Sequence, residues 1–297
     1  MKIARPYSKT LRPTSDGFII VAVLWILGAF AALVSIYALF VIDTATALGV
    51  HDDRLRSEAM VSAAIELTAY RLTGPQASRP TRGQFDFRMG PANVAAEFRS
   101  EAARIDLNAA PKEVLAGLFA TLGARQDDAG SHANRVIGWR TAPPSGEDSE
   151  ASIYRTAGLR YAPRGDRFPH ANELSLVLGL PATLVERALP FVTVYSGRAQ
   201  VNILDTAPEI IAALPGMTPS RLNSILARRQ ASPGNGELLI SMLGPAQEYA
   251  TTEGSNTYRI EIRVAFDNGR RTSSEVVILV FEAGSEPYSI LSWRDQE

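Results

Sequence analysis

His51, His132 and His170 are the only imidazoles in this 297-residue chain, which has no cysteine. They lie far apart in sequence, so no HExxH pair forms and no triad is spelled out. Without cysteine there is no thiolate zinc site, iron–sulfur cluster, disulfide framework or thiol nucleophile. Walker loop and GxSxG motifs are also missing, so no enzyme is expected. His170, beside Pro169, reads as a loop histidine. One further pattern could do chemistry. Leu214-Pro215-Gly216-Met217, followed by Leu222, Ile225 and Leu226, has the form of a helix-hairpin-helix unit. Such a turn can aim backbone N–H groups at a nucleic-acid phosphate, and Arg221, Arg228 and Arg229 could assist. Residues 201–232 hold those three basic residues against two acids, Asp205 and Glu209. A net charge of about +1 is a poor electrostatic footprint, so a structural hairpin is the expected reading. The whole chain, with 30 basic and 31 acidic residues, is not held to nucleic acid by bulk charge.

The elements that would carry such groups begin with an unusual N-terminus. Hydrophobic residues are 46% and charged residues 21% of the chain, an ordinary globular balance. Yet Gly17 to Ile42 contains no charge at all. As a helix this run would be about 39 Å long, enough to cross a bilayer core of about 30 Å. Lys2, Arg5, Lys9 and Arg12 precede it with one acid, Asp16; Asp43, Asp52 and Asp53 follow. The basic flank should stay cytoplasmic and the remainder should lie outside. Three readings compete. A cleaved secretory signal has a small-residue site at Ala45-Thr46-Ala47, but the apolar run is too long for it. A plain transmembrane anchor accounts for the run and the charges. The third reading rests on the junction Gly17-Phe18, where a polar, basic leader passes at once into the apolar helix.

That junction resembles the class III leader of type IV pilins and type II secretion pseudopilins. The resemblance implies cleavage by prepilin peptidase between Gly17 and Phe18, on the cytoplasmic side. Phe18 would become the N-methylated mature N-terminus, and the apolar stretch would stay with the mature chain. Glycine suits such a site because it puts no side chain in the way of a protease gripping extended backbone. Most pilins carry a glutamate at the fifth mature position, thought to pair with a neighbouring subunit's N-terminal amine inside the bilayer. Here that position is Ala22. Long and without that acid, the chain resembles the K-type minor pseudopilin, general secretion pathway protein K.

Further along, Leu55, Ala59, Ala63 and Leu67 recur at i+4, with Tyr70 three beyond, which predicts one apolar helix face. Thr73-Gly74-Pro75 is a helix stop. Gln84 to Arg88 and Val94 to Arg99 alternate on either side of Gly90-Pro91, and Ala102 to Leu107 is a candidate third strand. Tyr258 to Val264 and Glu275 to Glu282 flank a hairpin turn at Asp267-Asn268-Gly269. The strands at 83–107 and 257–282 are expected to share one antiparallel sheet packed on the 43–73 helix. The sequence between them is mostly helical and contains two related openings. Asp106-Leu107-Asn108-Ala109-Ala110-Pro111 leads into Val114, Leu115 and Leu118. Asn202-Ile203-Leu204-Asp205-Thr206-Ala207-Pro208 leads into Ile210, Ile211 and Leu214. Asn108 and Asp205, each three residues before the proline, are candidate helix N-caps. Aligned on the proline, the apolar spacing slips by one residue.

These openings resemble the N-x-A-type openings of the two helical subdomains in K-type pseudopilins. The likeness continues through Phe168, Glu173-Leu174, Leu178-Gly179-Leu180 and Leu189 to Ser196, and with the leader it spans most of the chain. It implies an α+β fold: a pilin-like long N-terminal transmembrane helix packed on an antiparallel sheet, with a large inserted all-helical domain of SAM or helix-hairpin-helix type. The implied division is a cytoplasmic leader 1–17, the transmembrane half-helix 18–42, pilin-like helix and first strands 43–107, an insert 108–250 with subdomains 108–200 and 201–250, and C-terminal strands 251–297. The implied function is a non-catalytic subunit capping the tip of the type II secretion pseudopilus and supporting export of folded proteins across the outer membrane. Its expected partners are I- and J-type minor pseudopilins, prepilin peptidase and the bacterial inner membrane, spanned once with the N-terminus cytoplasmic and the head periplasmic; no nucleic acid is expected. The family is associated with calcium held by acids near a tryptophan. Here Trp139 has no acid in Gly138 to Pro143, and Glu147, Asp148 and Glu150 come later, so calcium stays possible by resemblance and no metal ligand is assigned. The reading from a different class is a membrane-tethered helix-hairpin-helix DNA-binding protein.

Overall fold

The computed structural model describes residues 16–142, 150–232 and 234–296. The chain divides into two units, Met1–Ala59 and Met60–Glu297. In the first, helix α1 (Asp16–Arg71) begins and carries Phe18–Val41, a stretch of mean hydropathy 2.8. That stretch is long and apolar enough to cross a membrane, and its large side chains, among them Trp25, Phe30 and Tyr37, are exposed. A helix satisfies its own backbone hydrogen bonds, which a lipid environment demands.

The second unit takes the last turns of α1, which ends before the positive-φ Gly74 of the anticipated stop. Strands β1 (Arg82–Met89) and β2 (Ala92–Ser100) follow. Next come β3 (Ile105–Asp106), α2 (Lys112–Thr121), α3 (Gln126–Arg140), α4 (Glu150–Thr156), α5 (Ala182–Ala188) and β4 (Val192–Thr193). Then come β5 (Val201–Asn202), α6 (Pro208–Ala212), α7 (Pro219–Ala231), α8 (Gly236–Ser241) and β6 (Ala250–Thr251). Strands β7 (Thr257–Phe266), β8 (Arg271–Val280) and β9 (Tyr288–Gln296) complete the described chain. The main sheet has five strands in the order β1-β2-β7-β8-β9, each antiparallel to its neighbours. The helical sequence is thus inserted between two neighbouring strands, β2 and β7.

One face of the sheet is apolar because its strands alternate with period two. Val94, Ala96 and Phe98 of β2, Tyr258, Ile260, Ile262 and Val264 of β7, and Val276 and Ile278 of β8 are all buried on the core of α1's last turns. The helix face they meet is Met60, Val61, Ala64, Ile65, Ala69 and Leu72. It is not the row predicted from sequence: Leu55, Leu67 and Tyr70 are exposed. The reason is geometric. At about 100° per residue, positions 60, 61, 64, 65, 68, 69 and 72 fall on one half of the helix and 55, 59, 63, 67 and 70 on the other; both halves carry apolar residues, and the sheet covers the first. Ala64 and Ala69 also let the helix come close to the large Val, Ile and Phe side chains of the sheet.

The proposed third strand needs a second correction. Residues 101–103 make a short 3-10 turn, and β3 leaves the main sheet to pair in parallel with β4. Strand β9, not anticipated, takes the far edge beside β8. The Asp267-Asn268-Gly269 turn forms as expected, with Gly269 at φ 87° and its N–H donating to Phe266 O at 3.0 Å.

Candidate functional site

The insert is one structural module used twice. In the first copy the Asp106 carboxylate accepts from Asn108 N (2.7 Å), and the Asp106 carbonyl accepts from Ala110 N (2.8 Å). In the second, Asn202 Oδ1 accepts from Leu204 N (2.9 Å), and the Asn202 carbonyl accepts from Thr206 N (3.0 Å). Superposing Asp106 on Asn202 is an offset of 96 residues, and it removes the slip seen when the prolines are aligned. Val114, Leu115 and Leu118 then match Ile210, Ile211 and Leu214, all buried in one core. Each copy closes on a threonine. Leu107 N donates to Thr193 O (2.8 Å) and Ile203 N to Thr251 O (2.9 Å). The two hydroxyls accept from Tyr195 N (3.2 Å) and Glu253 N (3.1 Å). Both helical hairpins turn on a left-handed glycine, Gly123 (φ 96°) and Gly216 (φ 70°).

Each opening loop is clamped by an arginine from its longer helix. Arg140 of α3 donates to the carbonyls of Leu107 and Ala110, the latter at 2.8 Å. Arg229 of α7 donates to Ile203 O (3.3 Å) and Thr206 O (2.7 Å), the equivalent pair. Burial pulls both guanidiniums below their ordinary value, and Asp106 and Asp205 respectively pull the other way. Asp106 itself is pushed up by burial, against hydrogen bonds from Asn108, Gly197 and Ser196. We expect Arg140→Ala to cost about 2 kcal/mol, since it strands two carbonyl acceptors. Arg140→Lys should recover less than half, because a single ammonium lacks the planar fork that spans both oxygens. The urea midpoint followed by tryptophan fluorescence measures both, and equal stability of all three proteins would refute the clamp.

The residues singled out by sequence fall in several places. Phe18 and Ala22 lie on α1, Phe18 largely exposed and Ala22 half-buried, and Gly17 is within the same helix. The leader residues 1–15 and the acids Glu147 and Asp148 lie outside the described residues. Glu150 faces Arg135 at 2.8 Å. Trp139 stacks on Phe168 (centroids 6.2 Å apart) and donates Nε1–H to Glu173 at 3.3 Å. Glu173 also pairs with Arg164, which holds its carboxyl below the usual range. Among the described residues no group of three or more His, Asp or Glu could hold a metal ion. Asn108 and Asp205 are not helix caps: Asn108 grips the Phe168 backbone through both its amide atoms, and α2 and α6 start without a side-chain cap. In the helix-hairpin-helix turn, Arg229 is spent on the clamp and Arg221 donates to Gly216 O at 3.1 Å. That leaves Arg228 as the one outward arginine of the three.

The family model described as "Type II secretion system (T2SS), protein K" matches residues 93–197, which contain strand β2 but for Ala92 and the whole first module. That stretch, about a third of the chain, is similar to the type II secretion protein K family. The chain also resembles a chain of the crystallised GspK-GspI-GspJ complex from the enterotoxigenic Escherichia coli type 2 secretion system. The TM-score is 0.61 at 16% identity, over 86% of this chain and 99% of that one, a likeness of fold. A search of curated proteins by sequence gives no match. The exposed apolar stretch Phe18–Val41 of α1 fits a membrane anchor.

Proposed function

We propose that this chain is a K-type minor pseudopilin, a non-catalytic cap at the tip of the type II secretion pseudopilus, supporting export of folded proteins across the outer membrane. Residues 1–17 are the cytoplasmic leader, cut by prepilin peptidase between Gly17 and Phe18, and Phe18 is then N-methylated. Residues 18–42 cross the inner membrane once and the head is periplasmic. The head comprises the pilin-like parts 43–107 and 251–297 and the insert 108–250, divided at 200. I- and J-type minor pseudopilins are its neighbours, by analogy with the composition of the related complex.

The observation that carries the tip position is Ala22. A mid-fibre subunit can pair a fifth-position acid with the amine of a neighbour. At the extreme tip that acid would stay unpaired in lipid, at a cost of about 3 kcal/mol. Alanine avoids the cost. Mass spectrometry of the mature chain should find it starting at N-methylated Phe18, and quantification of isolated tip complexes should give one copy. A mature start near Leu48 would establish the secretory-signal reading instead, and many copies along the fibre would refute the cap.

A further inference from the structure

Among the described residues, Asp205 Oδ2 is the single buried side-chain polar atom that accepts no hydrogen bond. The Asp205 side chain is 2% exposed, and its Oδ1 faces Arg82 Nε at 3.2 Å. It lies in a groove of about 460 Å³ also lined by Arg82, Arg99 and Arg229. Three guanidiniums against one carboxylate leave two positive charges in excess, in a chain whose net charge is −1. Arg99 is partly shared with Glu97 at 3.3 Å, a residue outside this lining, so the wall stays cationic. Arg82 and Arg99 are 62% and 48% exposed, free to swing toward a visitor, while Arg229 is fixed by its two carbonyls.

The two halves of this groove ask for different things. The arginines ask for an anion, and the buried Oδ2 asks for a donor. An inorganic anion supplies only the first. A metal cation would supply only the second and would meet three arginines. An acidic peptide in extended form supplies both, a side-chain carboxylate and a backbone N–H. We infer that this groove is a docking slot for an acidic segment of a partner protein, with a peptide N–H on Asp205 Oδ2 and the carboxylate on Arg82 and Arg99. The inference does not depend on the tip position and would survive its failure.

The test uses the full chain in detergent micelles and fluorescence anisotropy at low salt. The probe is a dye-labelled, end-capped peptide alternating Glu and Gly, beside its Gln and Gly counterpart. The Glu peptide should bind, and the Gln peptide should bind at least about tenfold more weakly. Arg99→Gln should weaken the Glu peptide by about tenfold, because it removes a charge-assisted contact. Asp205→Asn should do the same by turning the acceptor into a donor. Arg263→Gln, an exposed charge elsewhere on the sheet, should change nothing. Arg99 forms only an exposed pair, so its variant keeps the fold. The slot is refuted if neither peptide binds, if both bind alike, if Arg99→Gln is silent, or if inorganic sulfate displaces the peptide as well as free Glu peptide does.

Discussion

Gly117→Ala should destabilise the head by about 3 kcal/mol, although alanine favours an isolated helix by about 1 kcal/mol. Gly117 sits in the middle of α2, and a Cβ there would stand 1.8 Å from the Ala213 carbonyl oxygen and 2.9 Å from its carbon. The obstacle is backbone, so no rotamer change relieves it. At the offset of 96 that relates the two modules, Gly117 and Ala213 are equivalent positions. The modules therefore meet at matching points of matching helices, as the two halves of an isologous dimer do. Position 117 can be no larger than glycine, whatever side chain stands at 213. Overpacking must either part α2 from α6 or bend one of them, and both sit in the shared core with Leu115, Leu118, Ile210 and Ile211. The urea midpoint of the full chain should fall, and Ala213→Gly should not restore it, because the clash is with the main chain. Rescue by Ala213→Gly would place the contact at a side chain and refute this packing.

Much of the fold was legible because its signals are local. The Asp267-Asn268-Gly269 turn, the period-two runs of β7 and β8, and the Gly74-Pro75 stop each depend on a few neighbouring residues, and each forms where it was expected. What failed depended on distance. The exposed row through Leu67 and Tyr70 was as apolar as the buried one; the choice between them lies with the sheet, not with the helix. Residues 105–106 have strand character, but their partner lies at 192–193, which no local pattern announces. The duplicated module was half visible. The two openings were found, but anchoring them on Pro111 and Pro208 hid their register. The shared anchor is the Asx turn at Asp106 and Asn202, and α2 simply starts one residue after its proline. The arginine clamp escapes that alignment, since Arg140 and Arg229 are 89 residues apart rather than 96 and match only in the carbonyls they hold. The groove at Asp205 escapes it too, because β1, β2 and α7 contribute its arginines from three places in sequence.

Arg259→Met should cost about 3 kcal/mol, and the double variant Arg104→Met/Arg259→Met more than the sum of its parts. Glu101 is 1% exposed and takes Arg259 Nε at 2.8 Å and Nη2 at 3.2 Å; Arg259 also pairs with Glu275. The Thr193 hydroxyl donates to the same Glu101 carboxylate. This buried cluster joins β7 and β8 of the sheet to β4 of the first module, and Thr206 Oγ1 ties the second module to the Ala103 carbonyl at 2.8 Å beside it. Desolvation opposes the Arg259 charge, but the two glutamates outweigh it and hold the guanidinium above its ordinary value. Removing Arg259 leaves Glu101 charged and buried, which costs about 3–5 kcal/mol when nothing replaces the partner. Here something can. Arg104 is drawn below its usual value by burial and by Arg259, and lies in the field of Glu101 and Glu275 without a side-chain bond among the described residues. Once Arg259 is gone, Arg104 should turn to Glu101 and hold the loss near the lower end of that range. With both arginines replaced, the full penalty should appear as a positive coupling of about 1–2 kcal/mol in the double-mutant cycle. Simple additivity would mean that Arg104 does not reach Glu101. A loss below about 1 kcal/mol for Arg259→Met alone would mean that the junction is held by the threonines and the core, and that the ionic cluster is not what fixes the modules to the sheet.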